Sequence, residues 1–285
     1  MASEAGVSRG SLLAEGAVAL AAAGLGAPRR EALRLWAGVS GEGPASGLVP
    51  PWTAVPRERA DAFAEAIRRR AAGEPLAHVT GRTGFRHLTL RSDRRALIPR
   101  PETEGLVDLV LARVPGGQVA DVGTGSGCIA LSLATEGHYQ QVIGVDLSHE
   151  ALALASENRA LTGARVALVR GNLCQPLAPA SLDALVSNPP YLTAAEYAAL
   201  DGSVRHWEPA LALASGPDGL DAVLALLDTG RAAVRPGGWL ALEIDCARAA
   251  RCAWHASAFG WTDVAIHADL FGRERYLLAR RSDAA

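Results

Sequence analysis

The 285-residue chain is short of several features that would assign it to a class at once. It has four cysteines, Cys128, Cys174, Cys246 and Cys252. None forms a C-x-x-C pair and no histidine stands at zinc-like spacing, which argues against a metal centre. Free thiols in a reducing cytosol are the simplest reading. No apolar run reaches the 18 or so residues of a membrane span, and the Ala-rich start lacks a signal-peptide layout. A soluble, cytoplasmic protein is expected, without a membrane partner. Net charge is only −2, so the basic footprint of a general nucleic-acid binder is missing. Short basic clusters at Arg68–Arg70 and at Arg91, Arg94 and Arg95 read as solvated faces. No internal repeat is present, and nothing calls for an oligomer, so a monomer is expected.

What the chain does have is apolar residues, 49% of the total, enough for a sizeable core. The length allows one large domain or two smaller ones. The pattern changes along it. Ser11 to Ala23, Arg29 to Ala37 and a segment behind Pro56 read as helices, with Gly24, Gly38 and Gly73 as stops. Ala60, Phe63, Ala64 and Ile67 mark one apolar face of the third. Gly41 to Pro51 is rich in Gly and Pro and reads as loop. His87 to Arg91 favours an extended segment, part of a hairpin. A helix over Glu102 to Val114 follows, its acidic start suited to the helix dipole. The division expected is a helical domain over 1–84, a hairpin connector over 85–98 and a catalytic domain over 99–285.

From Gln118 strands and helices alternate. Strands are predicted over Gln118–Val122, Gln141–Asp146, Arg165–Arg170, Leu182–Ser187 and Trp239–Ile244. Helices are predicted over Ile129–Thr135, Glu150–Leu161 and Leu220–Val234. Near-continuous apolar strands separated by helices imply a parallel sheet covered on both faces. Trp261–His267 and Arg275–Arg280, joined by a brief turn, must be antiparallel. The expected fold class is α/β: a Rossmann-like, seven-stranded mixed sheet ending in an antiparallel hairpin and preceded by a small helical bundle. That is the layout of class I methyltransferases.

Two stretches carry chemistry. Asp121-Val122-Gly123-Thr124-Gly125-Ser126-Gly127 follows the first strand and opens a helix, where glycines allow a sharp turn and close approach to a ligand. Asp146 ends the second strand about 20 residues on, placed to accept ribose hydroxyls. No Lys-Ser/Thr follows the loop, so it is not a P-loop. NAD and S-adenosylmethionine both fit such a loop; the Asp-x-Gly-x-Gly-x-Gly spacing resembles motif I of methyltransferases, with Asp121 near the donor's methionine moiety. Asn172 and Leu173 follow the third strand, where adenine would bind. The second stretch is Asn188-Pro189-Pro190-Tyr191, at the end of the fourth strand. Two prolines make a rigid turn with outward carbonyls. An amide oxygen, the Pro189 carbonyl and a Tyr191 ring face can hold a planar NH₂ group. The pattern is shared by methyltransferases of adenine N6, guanine N2 and glutamine N5, and alone it does not choose among them.

Other segments resemble one family. Gly73 to Gly81 looks like the interdomain segment of the release-factor glutamine methyltransferases (HemK/PrmC type). Leu97-Ile98-Pro99-Arg100-Pro101-Glu102-Thr103-Glu104 is similar to that family's Ile-Pro-Arg-Pro-Glu-Thr-Glu signature. Trp207-Glu208-Pro209-Ala210-Leu211 and Asp269 to Arg275 resemble two further signatures, so the likeness runs from about Gly73 to Arg280. The resemblance implies S-adenosyl-L-methionine as cofactor, S-adenosylhomocysteine as product, and class I peptide chain release factors as partners, through the Gln of their Gly-Gly-Gln motif. It implies donor contacts at Gly123 to Gly127, Asp146, Leu173 and Asn188, and glutamine contacts at Asn188 to Tyr191, with Asn188, Pro189 and Tyr191 as the catalytic set. No direct nucleic-acid contact is implied. Two departures stand out: Asn172 where the family more often has Asp, and Glu243-Ile244-Asp245-Cys246-Ala247-Arg248 where it often has Glu-Ile-Gly-x-x-Gln. The competing readings are an adenine or guanine methyltransferase, which would have to flip its base, and a non-catalytic donor-binding module.

Overall fold

The structure is a computed structural model that describes residues 7–42 and 50–282. Residues 43–49 of the Gly41–Pro51 loop expectation lie outside the described residues. Backbone contacts divide the chain into two units: Met1–Arg82 with Asp201–Trp207, and Thr83–Leu200 with Glu208–Ala285.

The first unit packs α1 (Arg9–Ala22), α2 (Pro28–Ser40), α3 (Arg57–Ala71) and the short α4 (Leu76–Thr80). Ser8 caps α1, its hydroxyl accepting from Ser11 N at 3.2 Å. Leu20, Leu35, Trp36, Phe63 and Ile67 form the core, with Trp36 edge-on to Phe63 at 5.5 Å between centroids. The expectation that Gly38 ends α2 fails. The helix runs to Ser40 and Gly41 closes it in the left-handed region. Gly38 is there for space: a Cβ would stand 2.5 Å from the Thr80 methyl. The basic run after Phe63 is also not a uniformly solvated face. Arg69 forks onto Glu74, and Arg70 donates to Glu31 at 2.9 Å; Arg68 stays mostly exposed.

The second unit begins with a hairpin of β1 (Arg82–Phe85) and β2 (Leu88–Arg91). Then come α5 (Pro101–Arg113), β3 (Gln118–Val122), α6 (Cys128–Glu136), β4 (Gln141–Asp146), α7 (His149–Thr162), β5 (Val166–Arg170) and β6 (Leu182–Ser187). After these follow α8 (Ala194–Ala198), α9 (Gly202–Arg205, in the first unit), α10 (Asp221–Ala233), β7 (Val234–Glu243), α11 (Ala249–Ala258), β8 (Trp261–Ala268) and β9 (Glu274–Arg281). The sheet order is β5-β4-β3-β6-β7-β9-β8. Pairings from β5 to β7 are parallel, and β9 is antiparallel to both β7 and β8. The seven-stranded mixed sheet is the one expected. β7 starts five residues before the expected Trp239, because Val234 already pairs with Leu182 and the register then shifts. Pro236-Gly237-Gly238 lies within that irregular stretch of the strand. The α11 helix went unread in the sequence.

Apolar residues alternate between the faces of the sheet. One face packs on α10 and α11 through Leu226, Leu227, Cys252 and Ala256. The other packs on α5, α6 and the hairpin through Leu106, Val110, Leu131, Phe85 and Leu90. The chain runs from β3 outward through β4 to β5, then returns to lay β6 and β7 on the far side of β3. The topological switch thus falls between β3 and β6, and ligands of such sheets bind at the carboxyl ends beside it.

Candidate active site

The loop after β3 is built from glycines that must be glycines. Gly123, Gly125 and Gly127 take φ of 75°, 56° and 85°, a region costly for residues with a Cβ. Gly123 N and Thr124 N both donate to Val145 O, at 2.8 and 2.9 Å, which stitches the loop to the end of β4. Ser126 O accepts from Nδ2 of the fully buried Asn158 at 2.9 Å. The same Asn158 accepts from Arg91 N at 2.7 Å, so one α7 side chain ties the hairpin to the glycine loop.

Asp121 sits beneath the loop. It is fully buried; its Oδ2 accepts from Thr124 Oγ1 at 2.6 Å and Ala130 N at 3.1 Å, and its Oδ1 has no partner. Burial pushes its carboxyl up to about 7, against the pull of those two hydrogen bonds. Asp121 does not line the cavity above; it anchors the loop from below.

That cavity has a volume of about 410 Å³ and lies at the carboxyl ends of β3, β4, β5 and β6. Gly123, Thr124, Gly125, Ser126, Asp146, Asn172, Leu173, Asn188 and Pro190 all line it, so most of the residues singled out in the sequence meet there. Asp146 receives Gly125 N on one oxygen at 2.8 Å and Ser148 N on the other at 2.9 Å. A carboxylate has about four lone-pair positions, so each oxygen can still accept from a ligand hydroxyl. Leu173 holds φ of 49°, a strained backbone for a leucine, while packing partly onto the sheet core. Asn172 is exposed.

The tetrapeptide divides. Asn188 and Pro190 face the cavity, whereas Pro189 is buried and does not line it. Tyr191 also stays off its wall; burial, with the Glu243 charge nearby, pushes its phenol up. Asn188 Nδ2 donates to Thr103 Oγ1 at 3.0 Å, and that hydroxyl donates to Glu243 Oε2 at 2.7 Å. Thr103 and Glu243 are each 2% exposed. Burial raises the Glu243 carboxyl to about 7, although the Thr103 hydrogen bond and Arg275 pull it down. Neither residue had been singled out for the site. Glu243 carries the signal that marked Asp146, an acid at the end of an apolar strand. Thr103 lies in a signature stretch whose side-chain roles the sequence does not reveal.

Arg100 lines the cavity and donates to Glu208 Oε1 at 2.6 Å, while Glu208 Oε2 accepts from Ile98 N at 2.9 Å. The Ile-Pro-Arg-Pro and Glu-Pro stretches are therefore two halves of one contact. The departure after β7 has a structural role: Asp245 accepts from Ala247 N at 3.1 Å and pairs with Arg248. Arg248 also forks onto Glu196 and donates to Asp218 O at 2.7 Å.

The sheet order, the glycine loop, the acidic strand end and the Asn-Pro-Pro-Tyr turn define a class I methyltransferase. Such enzymes take their methyl group from S-adenosyl-L-methionine, and the cavity suits it: an apolar-walled cleft of ligand size with the Asp146 carboxylate in its wall. The comparisons agree. The methyltransferase small domain model matches residues 102–204 and the PrmC N-terminal domain model residues 11–81. A release factor glutamine methyltransferase of Deinococcus radiodurans is 46% identical over 221 residues, 76% of this chain and 78% of that one. One of Cereibacter sphaeroides is 42% identical over 262 residues, 92% of this chain and 94% of that one. A crystal structure of a methyltransferase from Pyrococcus furiosus shares the fold, with a TM-score of 0.53 at 20% identity, over 69% of this chain and 90% of that one. The chain belongs to the release factor glutamine methyltransferase family.

Proposed function

We propose that this enzyme methylates the side-chain N5 of the Gln in the Gly-Gly-Gln motif of class I peptide chain release factors, in the cytoplasm, acting as a monomer. The relatives, named release factor glutamine methyltransferases and matched over most of the chain, favour it over a nucleic-acid substrate. The observation that carries it is the placement of Asn188, its NH₂ held by Thr103, at the wall of the cavity.

An amide nitrogen is a poor nucleophile because its lone pair is delocalised. S-adenosylmethionine, when bound, supplies a methyl group already activated on a sulfonium. The residues of this chain orient the acceptor. The Asn188 oxygen and the Pro189 carbonyl, which joins the buried Pro189 to the cavity-lining Pro190, accept the two N–H groups of the glutamine amide, aim its nitrogen and stabilise the positive charge that grows on it. Asp146 accepts the ribose hydroxyls, Gly123 to Gly127 let the backbone approach the donor, and Leu173 borders the adenine with Asn172 beside it. Asp121 keeps the loop in shape.

Incubation with labelled donor and a class I release factor, followed by mass spectrometry, tests the reading. One methyl group on the Gly-Gly-Gln glutamine is expected, absent from a Gln→Ala factor. Label on nucleic acid with an unlabelled factor would sink it.

A further inference from the structure

The Asn188 amide can be useful in only one of its two orientations. A side-chain amide has an acceptor end and a donor end of nearly the same shape. Turned over, Asn188 would offer the substrate NH₂ group a donor, and the two would repel. Something must select the orientation, and Asn188 has no internal means of doing so.

The chain of contacts behind it supplies the selection. At pH above about 7 the Glu243 carboxyl is ionised, and an ionised carboxylate only accepts. Glu243 Oε2 therefore takes the single hydroxyl proton of Thr103, at 2.7 Å. With that proton spent, Thr103 Oγ1 has only lone pairs for Asn188, at 3.0 Å, and only the NH₂ end can meet them. The Asn188 oxygen is left for the cavity. Both supporting side chains are 2% exposed, so no bulk water relaxes the choice, and hydrogen bonds in such surroundings strengthen one another. Glu243 is itself held: it ends β7, paired with Tyr276 of β9, and its Oε1 faces Arg275 at 3.9 Å. Thr103 is fixed in the first turn of α5, behind Pro101.

We propose that Glu243 and Thr103 are positioning residues: the carboxylate sets the direction of the hydroxyl, and the hydroxyl sets the orientation of the Asn188 amide that receives the substrate nitrogen. This rests on the glutamine reading above. Thr103 itself lines the cavity, but its hydroxyl is committed to Glu243 and Asn188, so both residues act through Asn188.

The test compares wild type with Thr103→Val, Thr103→Ser and Glu243→Gln, and with Thr103→Val in an Asn188→Ala background. Methylation of a class I release factor is followed at pH 8, where Glu243 is ionised, and donor affinity is read by calorimetry. Thr103→Val should lower kcat about 10- to 100-fold with donor affinity within about 2-fold, as expected for an interaction felt in the transition state. Thr103→Ser, which keeps the hydroxyl, should recover most of the loss. In the Asn188→Ala background the same change should cost less than about 2-fold, because its target is gone. Glu243→Gln keeps the shape but can give Thr103 a proton, so it should also lower kcat, and it carries the test if Thr103→Val fails to fold. The proposal is overturned if Glu243→Gln or a folded Thr103→Val turns over like wild type. It is equally overturned if Ser rescues nothing or if the loss persists without Asn188. A wild-type protein that leaves the factor unlabelled overturns the glutamine reading itself, and the proposal with it.

Discussion

Asp121→Asn gives a sharp test of how the glycine loop is held. The carboxyl titrates at 3.8 when exposed and at about 7 in the fold, because burial disfavours its charge. The folded state thus holds this proton more tightly than the unfolded chain. Its contribution is full at low pH and is lost as pH rises through about 7. Taking those two values, protonation favours the fold by roughly 3 kcal/mol at pH 5 and by almost nothing at pH 8. Asparagine does not titrate there, and every other titrating group is common to both proteins. The stability of wild type minus variant should therefore fall by a few kcal/mol, on the order of 3, between pH 5 and pH 8. At pH 5 the variant should lie within about 1 kcal/mol of wild type, since its NH₂ group stands where the protonated oxygen, itself without a partner, stood. By pH 8 it should equal or exceed wild type. Urea unfolding of donor-free protein at both pH values, extrapolated linearly, gives the difference. A difference that stays constant with pH would refute the account of a buried, protonated loop anchor.

Asp146→Ala removes the acceptor of Gly125 N and Ser148 N together with the proposed ribose contacts. Donor affinity should drop about 10- to 100-fold by calorimetry, and unchanged affinity would count against the assignment. Asn188→Ala should keep donor affinity and lose about 10²- to 10³-fold in kcat, by analogy with deleting one oxyanion-hole group. Near-normal turnover would remove Asn188 from its role. Gly38→Ala should destabilise the protein, although alanine gains about 1 kcal/mol in helix propensity, because its Cβ would stand 2.5 Å from the Thr80 methyl. A variant with a raised urea midpoint would contradict that packing.

The strands were legible because buried parallel strands leave continuous apolar runs, and their ends were legible because Gly, Asp and Asn there serve no core. Gln118–Val122, Gln141–Asp146 and Leu182–Ser187 match the observed strands residue for residue. The glycine loop, Asp146 and the Asn188 turn stand out in the sequence for the same reason: each is a local break in a periodic pattern. Gly38 misled because a helix-breaking residue was read by its propensity, when Thr80, 42 positions away in the chain, needed the space. Thr103 and Glu243 passed unassigned to the site since their hydrogen bond joins residues 140 positions apart. Asp121 was placed beside the ligand, but its side chain points under the loop, which depends on how β3 meets α6.

The sequence by itself determined the fold class, the family and the residues that meet at the sheet's carboxyl edge. Hydrophobic period, glycine spacing and short signatures are properties of neighbouring residues and survive in one dimension. Only the tertiary structure decided which of those residues line the cavity, which lie beneath it, and how Asn188 is turned. Those outcomes depend on burial and on hydrogen bonds between distant elements. A carboxylate at the end of β7 gains its influence over an asparagine after β6 only when α5 carries a threonine between them.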